Sequence, residues 1–223
     1  MNAGQTCVAP DYIFVHKEIK DEFVKNIIDR IKEFYGNDPL TCENFCRIVS
    51  ERHFDRLLSL IKDEHIIFGG KSSRHKLKIT PTLLDQVSEN SKIMQEEIFG
   101  PIMPILEFDS FDTVTSFINK RPKPLALYIF SKNKSNISKV LSETSSGGVC
   151  INDTINHIST PHLPFGGVGD SGMGSYHGRM SFETFSHKKS VLKNQTIYDM
   201  RVIYPPYKVS VNFIKKVFKY LLH

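Results

Sequence analysis

The sequence predicts an α/β fold, a largely parallel sheet with helices on both faces, and three observations predict it. Apolar stretches of strand length alternate with stretches whose apolar residues recur every three or four positions. Glycines stand at the joints, at Gly36 and at Gly69-Gly70. The length, 223 residues, suffices for one sizeable core, or one domain with an appendage, and is cramped for two full domains. Strands that alternate with helices are joined by crossovers, so neighbouring strands run parallel and both faces of the sheet become covered.

Tyr12-Ile13-Phe14-Val15 reads as the first strand. A helix follows from Glu18 to Tyr35, with Phe23, Ile27, Ile28, Ile31 and Phe34 at helical spacing, until Gly36 stops it. His53 to Asp63 repeats the helical pattern through Phe54, Leu57, Leu58 and Ile61, and Ile66-Ile67-Phe68 before Gly69-Gly70 makes a short strand. Met103 to Phe108, a helix from Phe111 to Lys120, Leu125 to Phe130, a helix from Lys132 to Ser142 and Val149 to Asn152 continue the alternation. From Ser159 the character changes: residues 163 to 178 hold six glycines, a long irregular loop of the kind that carries function inside a compact domain. Ser181 to Leu192 alternates as a strand does. After Pro205-Pro206, Val211, Ile214, Val217, Phe218, Leu221 and Leu222 recur at three and four while Lys215, Lys216 and Lys219 take the other side, a short basic amphipathic helix.

The chemistry concentrates near the start of the chain. Cys7 closes Asn2-Ala3-Gly4-Gln5-Thr6-Cys7, small and polar residues that form a close-packed loop where backbone N–H groups can approach a substrate oxygen. On that context alone a nucleophilic thiol and a buried structural one stand level. Far downstream lies a second cluster, Gln95-Glu96-Glu97-Ile98-Phe99-Gly100-Pro101.

Asn2 to Tyr12 resembles the active-site segment of the aldehyde dehydrogenases, in particular the class 3 branch that includes the fatty aldehyde dehydrogenases. Glu96 to Pro101 resembles the family's nicotinamide-side motif, and Leu163 to Gly174 its late substrate-side loop. Tyr176-His177-Gly178 and Ser181 to His187 resemble the class 3 continuation, so that the likeness runs over roughly residues 1 to 192. It implies the aldehyde dehydrogenase catalytic domain, with Cys7 as nucleophile, Glu97 bonding the nicotinamide ribose of NAD or NADP, Phe99 packing beside it, and Asn2, Phe165 and Gly166 at the substrate end. The physics fits those roles, since a carboxylate accepts from two ribose hydroxyls and an aromatic ring offers a flat apolar wall. In the family, a dinucleotide-binding domain, an oxyanion-hole asparagine and a general-base glutamate come before this segment, and the chain is expected to lack them. Three forms stay open: a fragment of an intact enzyme, one half of a split enzyme, and a non-catalytic module that pairs with full-length relatives.

Gly167-Val168-Gly169-Asp170-Ser171-Gly172 satisfies G-x-G-x-x-G, but Pro164 precedes it and Gly174 and Gly178 interrupt any following helix, so it reads as a loop and not a dinucleotide fingerprint. A thiol protease would use His157 or His162, Asn152, and Gln5 as an oxyanion donor; the chain has no tryptophan, which the context of such a cysteine calls for. Cys42 and Cys46 have no second pair of ligands at a suitable spacing, so no metal site is assigned. The net charge of +5 reads as a mild basic balance spread over the chain, with no basic stripe interleaved with aromatics to suit nucleic acid.

The expected organisation is a thiol-bearing catalytic domain over 1–180, an oligomerisation strand region over 181–200 that pairs with a partner subunit in the family, and a tail over 201–223. Expected partners are an aldehyde and a second copy of the chain or a full-length relative. Four cysteines without a signal peptide favour a reducing, cytoplasmic compartment. No run of about eighteen apolar residues spans a membrane. The tail helix suits either peripheral contact with the cytosolic face of a membrane or a cover over the substrate entrance or a neighbouring subunit, and the lack of a longer apolar anchor favours the cover.

Overall fold

The computed structural model describes residues 1–197 and 204–221. In chain order these form β1 (Ile13–His16), α1 (Lys20–Tyr35), α2 (Glu51–Ile61), β2 (His65–Phe68), β3 (Ser72–Ser73), β4 (Lys78–Ile79), β5 (Thr82–Asp85), β6 (Ile102–Phe108), α3 (Phe111–Asn119), β7 (Ala126–Ile129), α4 (Lys134–Glu143), β8 (Gly148–Ile151), α5 (Gly178–Thr184) and α6 (Val211–Leu221). They fall into two units, 1–185 and 186–223.

In the first unit β6 is the axis. It pairs in parallel with β1 on one side, Ile13 opposite Ile105, and with β5 on the other, Leu83 opposite Met103. Antiparallel β2 closes the order β1-β6-β5-β2, and β7 and β8 form a separate parallel pair. Because successive side chains point to opposite faces, β6 feeds two cores. Ile105, with Val15 and Leu83, faces Phe23, Val24, Ile27 and Ile28 of α1. Ile102 and Leu106, with Leu84, pack with Phe54, Leu57, Leu60 and Ile61 of α2 and Phe117 of α3. Each such aliphatic side chain contributes about 1.5–3 kcal/mol on burial, and helices on both faces follow as expected.

Polar residues set the helix starts. Ser50 accepts from the His53 N–H at the head of α2, Ser110 from Asp112 at α3, and Asn133 from Ser135 and Asn136 at α4. At the far end of α1, Gly36 takes a φ of 73°. The apolar stripe of α1 ends short of Phe34, which is exposed and meets the Tyr35 ring.

Two parts of the topology differ from expectation. Strand β5 and the β3–β4 hairpin have no sequence signal: Thr82-Leu83-Leu84-Asp85 is four residues long behind Pro81, too short for periodicity, yet it lies buried beside β6. In place of a strand over 181–192 the chain forms α5 over 178–184, and 185–197 has no regular secondary structure. Locally the helix satisfies more groups. The Arg179 guanidinium pairs with Glu183 at 2.8 Å one turn on, the Thr184 hydroxyl donates to the Met180 carbonyl, and among the described residues no neighbouring strand offers a ladder. In the second unit α6 has no buried residue. The expected regions at 198–203, and Leu222, lie outside the described residues.

Candidate active site

Backbone in the left-handed region builds the turn that carries Cys7, with φ of 47° at Asn2, 50° at Ala3 and 75° at Gly4. Gln5 pins it from beneath. Its buried amide donates to the carbonyls of Asn2 (3.1 Å) and Arg47 (3.0 Å), and its oxygen accepts from the Val49 N–H (2.9 Å). Asn2 completes the turn by donating its side-chain amide to the Gln5 carbonyl at 2.9 Å. Cys7 is thereby held exposed between a buried Gln5 and a buried Val8. Its N–H has no hydrogen-bond acceptor among the described residues. From β7, the Tyr128 hydroxyl donates to the Val8 carbonyl at 2.6 Å; burial pushes the phenol above its ordinary range, which keeps it a donor.

The second cluster is pressed against this turn. A Cβ added at Gly4 would lie 2.2 Å from the Gly100 carbonyl oxygen, so the two loops touch backbone to backbone and only glycine fits. On its other side Gly100 lies against Leu57 of α2. Two side chains of α2 grip the loop. The Arg56 guanidinium donates to the carbonyls of Glu97 (3.1 Å) and Ile98 and pairs with the Glu96 carboxylate (2.7 Å). Its Nε donates to His53 Nδ1 at 3.3 Å; arginine cannot accept, so the neutral ring carries its proton on Nε2, which donates to the Phe99 carbonyl at 2.7 Å. Phe99 itself is held at a φ of 55°.

Arg56 engages the Glu96 carboxylate and only the backbone of Glu97. The Glu97 carboxylate is therefore exposed and unpaired among the described residues. Beneath it, Asp11 accepts from the Ile98 N–H at 2.8 Å. Burial pushes the Asp11 carboxyl up to about 6, opposed by that hydrogen bond, reinforced by the Glu97 charge and countered by Arg56.

Both loops lead into strands: 2–12 precedes β1 and 95–101 precedes β6. Open α/β sheets generally present their catalytic loops at the carboxyl ends of the strands. Here the two motifs meet at the amino ends of a parallel pair, because parallel neighbours bring their entry loops to one edge.

The substrate-side loop is built separately. Phe165 and Tyr176 exchange backbone hydrogen bonds (2.8 and 2.9 Å), the Phe165 ring stacks on His177, and Gly166 presses on the Gly174 carbonyl and against Gly147 at the entry to β8. Its tie to the Cys7 turn runs through the β7–β8 pair and Tyr128. Gly169–Ser171 is one 3-10 turn with no α-helix before α5, so the glycine pattern there has no helix terminus to offer a pyrophosphate.

The protease arrangement is not assembled. Gln5 is fully engaged in the turn, and Asn152 exchanges hydrogen bonds with the Ser131 backbone at 2.8 and 3.0 Å. Both ring nitrogens of His157 are buried without a hydrogen-bond partner among the described residues, its ring against Tyr128, and burial holds its pKa below the ordinary histidine value. Sequence reasoning missed Asp11, His53, Arg56 and Tyr128. His53 and Arg56 share a helix face at i and i+3, but nothing in the sequence ties that face to a loop about forty residues on.

The family model described as "Aldehyde dehydrogenase family" matches residues 1–191. The chain belongs to the aldehyde dehydrogenase family. It is 50% identical over 220 residues to 4,4'-diaponeurosporen-aldehyde dehydrogenase of Staphylococcus aureus, covering 98% of this chain and 48% of that protein. Two mouse relatives, the dimeric NADP-preferring aldehyde dehydrogenase (50% over 210 residues) and aldehyde dehydrogenase family 3 member A2 (49% over 210), each match 92% of the chain, with 46% and 43% of their own lengths covered, and place the likeness in class 3. The solved substrate-bound state of Staphylococcus aureus AldH superimposes with a TM-score of 0.86 at 49% identity, over 97% of this chain and 48% of that one. The chain thus spans about half the length of these relatives.

Proposed function

We propose that this chain supplies the thiol-bearing part of an NAD(P)-dependent aldehyde dehydrogenase that converts aliphatic, fatty or aromatic aldehydes to carboxylic acids, and that it is inactive alone. One observation carries the reading: Gly4 against Gly100 holds the Cys7 turn beside the loop of Glu97 and Phe99. The Cys7 thiolate adds to the aldehyde carbon, and the oxygen that gains charge meets the free Cys7 N–H. Asn2, Phe165 and Gly166 line the substrate end. The residues present fit the nicotinamide end of a dinucleotide, with the unpaired Glu97 carboxylate for ribose hydroxyls and the half-buried Phe99 as an apolar wall. NAD or NADP, when bound, supplies the acceptor for the hydride that leaves the thiohemiacetal carbon. The Cys7 thioester that remains is released by water as the acid, with the thiol regenerated.

The name of the dimeric mouse relative supports a homodimer, and residues 181–200, where Phe182, Phe185, Val191 and Leu192 stand exposed, are the region proposed to pair. Four free thiols are in keeping with a cytoplasmic setting. The test joins the upstream half of the Staphylococcus relative to this chain and measures NAD(P)H formation from medium-chain and aromatic aldehydes, beside the chain alone. The fused protein is expected to turn over, Glu97→Gln to raise the KM for cofactor and Cys7→Ala to abolish the reaction. Robust turnover by the chain alone contradicts the proposal.

A further inference from the structure

The basic balance of the chain is not spread along it. Residues 186–223 hold eight Lys and Arg against one Asp, a net of +7, which leaves residues 1–185 with 21 against 23, a net of −2. Such asymmetry marks a segment built for an anionic partner. Within it α6 sorts its residues by side. Val211, Ile214, Val217, Phe218 and Leu221 share one side with Phe213 and Tyr220 at its border; Asn212, Lys215, Lys216 and Lys219 hold the other, with no acidic residue in the helix. Every residue of α6 is exposed.

We propose that α6 lies on an anionic lipid surface, its apolar side in the headgroup boundary and its lysines against lipid charge. Eleven residues at about 1.5 Å each make a helix roughly 16 Å long, about half the hydrocarbon thickness, so it lies in the interface and does not cross. No helix among the described residues is long and apolar enough to cross a membrane. Charge also decides against the other occupant of an apolar side, a second copy of the helix. Two paired copies offer each other no carboxylate for their lysines, whereas an anionic bilayer attracts each lysine. The preference for a cover yields to this charge pattern, because a helix that lies in the interface needs no spanning segment.

The experiment sediments the chain with vesicles of phosphatidylcholine mixed with phosphatidylserine, and with phosphatidylcholine alone, at low and high salt. Binding is expected to the mixed vesicles only and to weaken with salt. Each lysine near such a surface contributes about a fivefold change in partition, so Lys215→Gln, Lys216→Gln and Lys219→Gln together lower it roughly a hundredfold. Phe218→Ser weakens binding to the same vesicles while the urea midpoint stays that of the parent, since the residue is exposed. Equal binding to both vesicle types, no binding, or a triple variant that binds like the parent overturns the proposal. So does Phe218→Ser acting on oligomer size in gel filtration and not on vesicle binding, which would assign α6 to a second copy.

Discussion

Replacing Gly4 by alanine puts one methyl group where the two motif loops touch. The added Cβ meets the Gly100 carbonyl oxygen at 2.2 Å and its carbon at 2.8 Å, so the loops must part by about 1 Å to reach an ordinary contact. Gly100 has little room to yield, being backed by Leu57, while Asp11 holds the Ile98 N–H. Overpacking of this kind costs about 1–3 kcal/mol, and the φ of 75° adds about 1 kcal/mol for any residue with a Cβ. Together the expected loss is about 2–4 kcal/mol, which at a typical urea slope lowers the unfolding midpoint by roughly 1–2 M. Gly36→Ala is the control for backbone strain without a clash: nothing lies within 4 Å of the added Cβ, and its φ of 73° with ψ of −169° is a conformation kept almost wholly to glycine, which costs about 1–3 kcal/mol. The alkylation rate of Cys7 relative to exposed Cys46 is read on the same samples and is expected to change in Gly4→Ala and not in Gly36→Ala. If Gly4→Ala leaves the unfolding midpoint and the Cys7 alkylation rate at the parent's values, the loops are not pressed together and the link between Cys7 and the Glu97 loop fails.

Asp11→Asn keeps an acceptor for the Ile98 N–H and removes a buried charge. Because the folded carboxyl titrates at about 6, above its ordinary 3.8, the wild-type chain loses stability as pH rises through that window. The variant is expected to match wild type near pH 4 and to exceed it near pH 7 by up to about 3 kcal/mol, the equivalent of two pH units; Tm against pH checks this, and parallel profiles contradict it. Arg56→Lys keeps the charge but loses the fork that reaches the Glu97 and Ile98 carbonyls, an expected loss of about 1–3 kcal/mol by urea unfolding. In the fused enzyme the same change should raise the KM for cofactor with aldehyde KM unmoved, and unchanged cofactor use would show that the grip on the loop is not functional.

Long periodic segments were legible because their burial writes itself into spacing: α1, α2, α3 and α4 stand within a few residues of their expected places, as do β1, β6, β7 and β8. The failures share a cause, that tertiary neighbours and not local pattern decide them. Strand β5 is a strand because β6 lies beside it, and 181–192 is not one here because nothing does. At the site, the reactive types were visible as motifs, Cys7 with its small polar neighbours and Glu97 beside Phe99. What holds them was not. Asp11, Arg56 and Tyr128 act through partners 87, 41 or 42, and 120 residues away, and no local signal carries such distances. The same holds for the edge of the sheet at which the site forms, since that depends on which strands turn out to be neighbours.

The central claim is that Cys7 is the atom to which the aldehyde becomes bound. The direct measurement mixes the fused enzyme with a medium-chain aldehyde and NAD or NADP, quenches in acid within a turnover, and maps acylated peptides by mass. The mass of the acyl group is predicted on the peptide that contains Cys7, dependent on cofactor and absent in Cys7→Ser. Acylation at Cys42, Cys46 or Cys150, or turnover that persists in Cys7→Ser, contradicts the account.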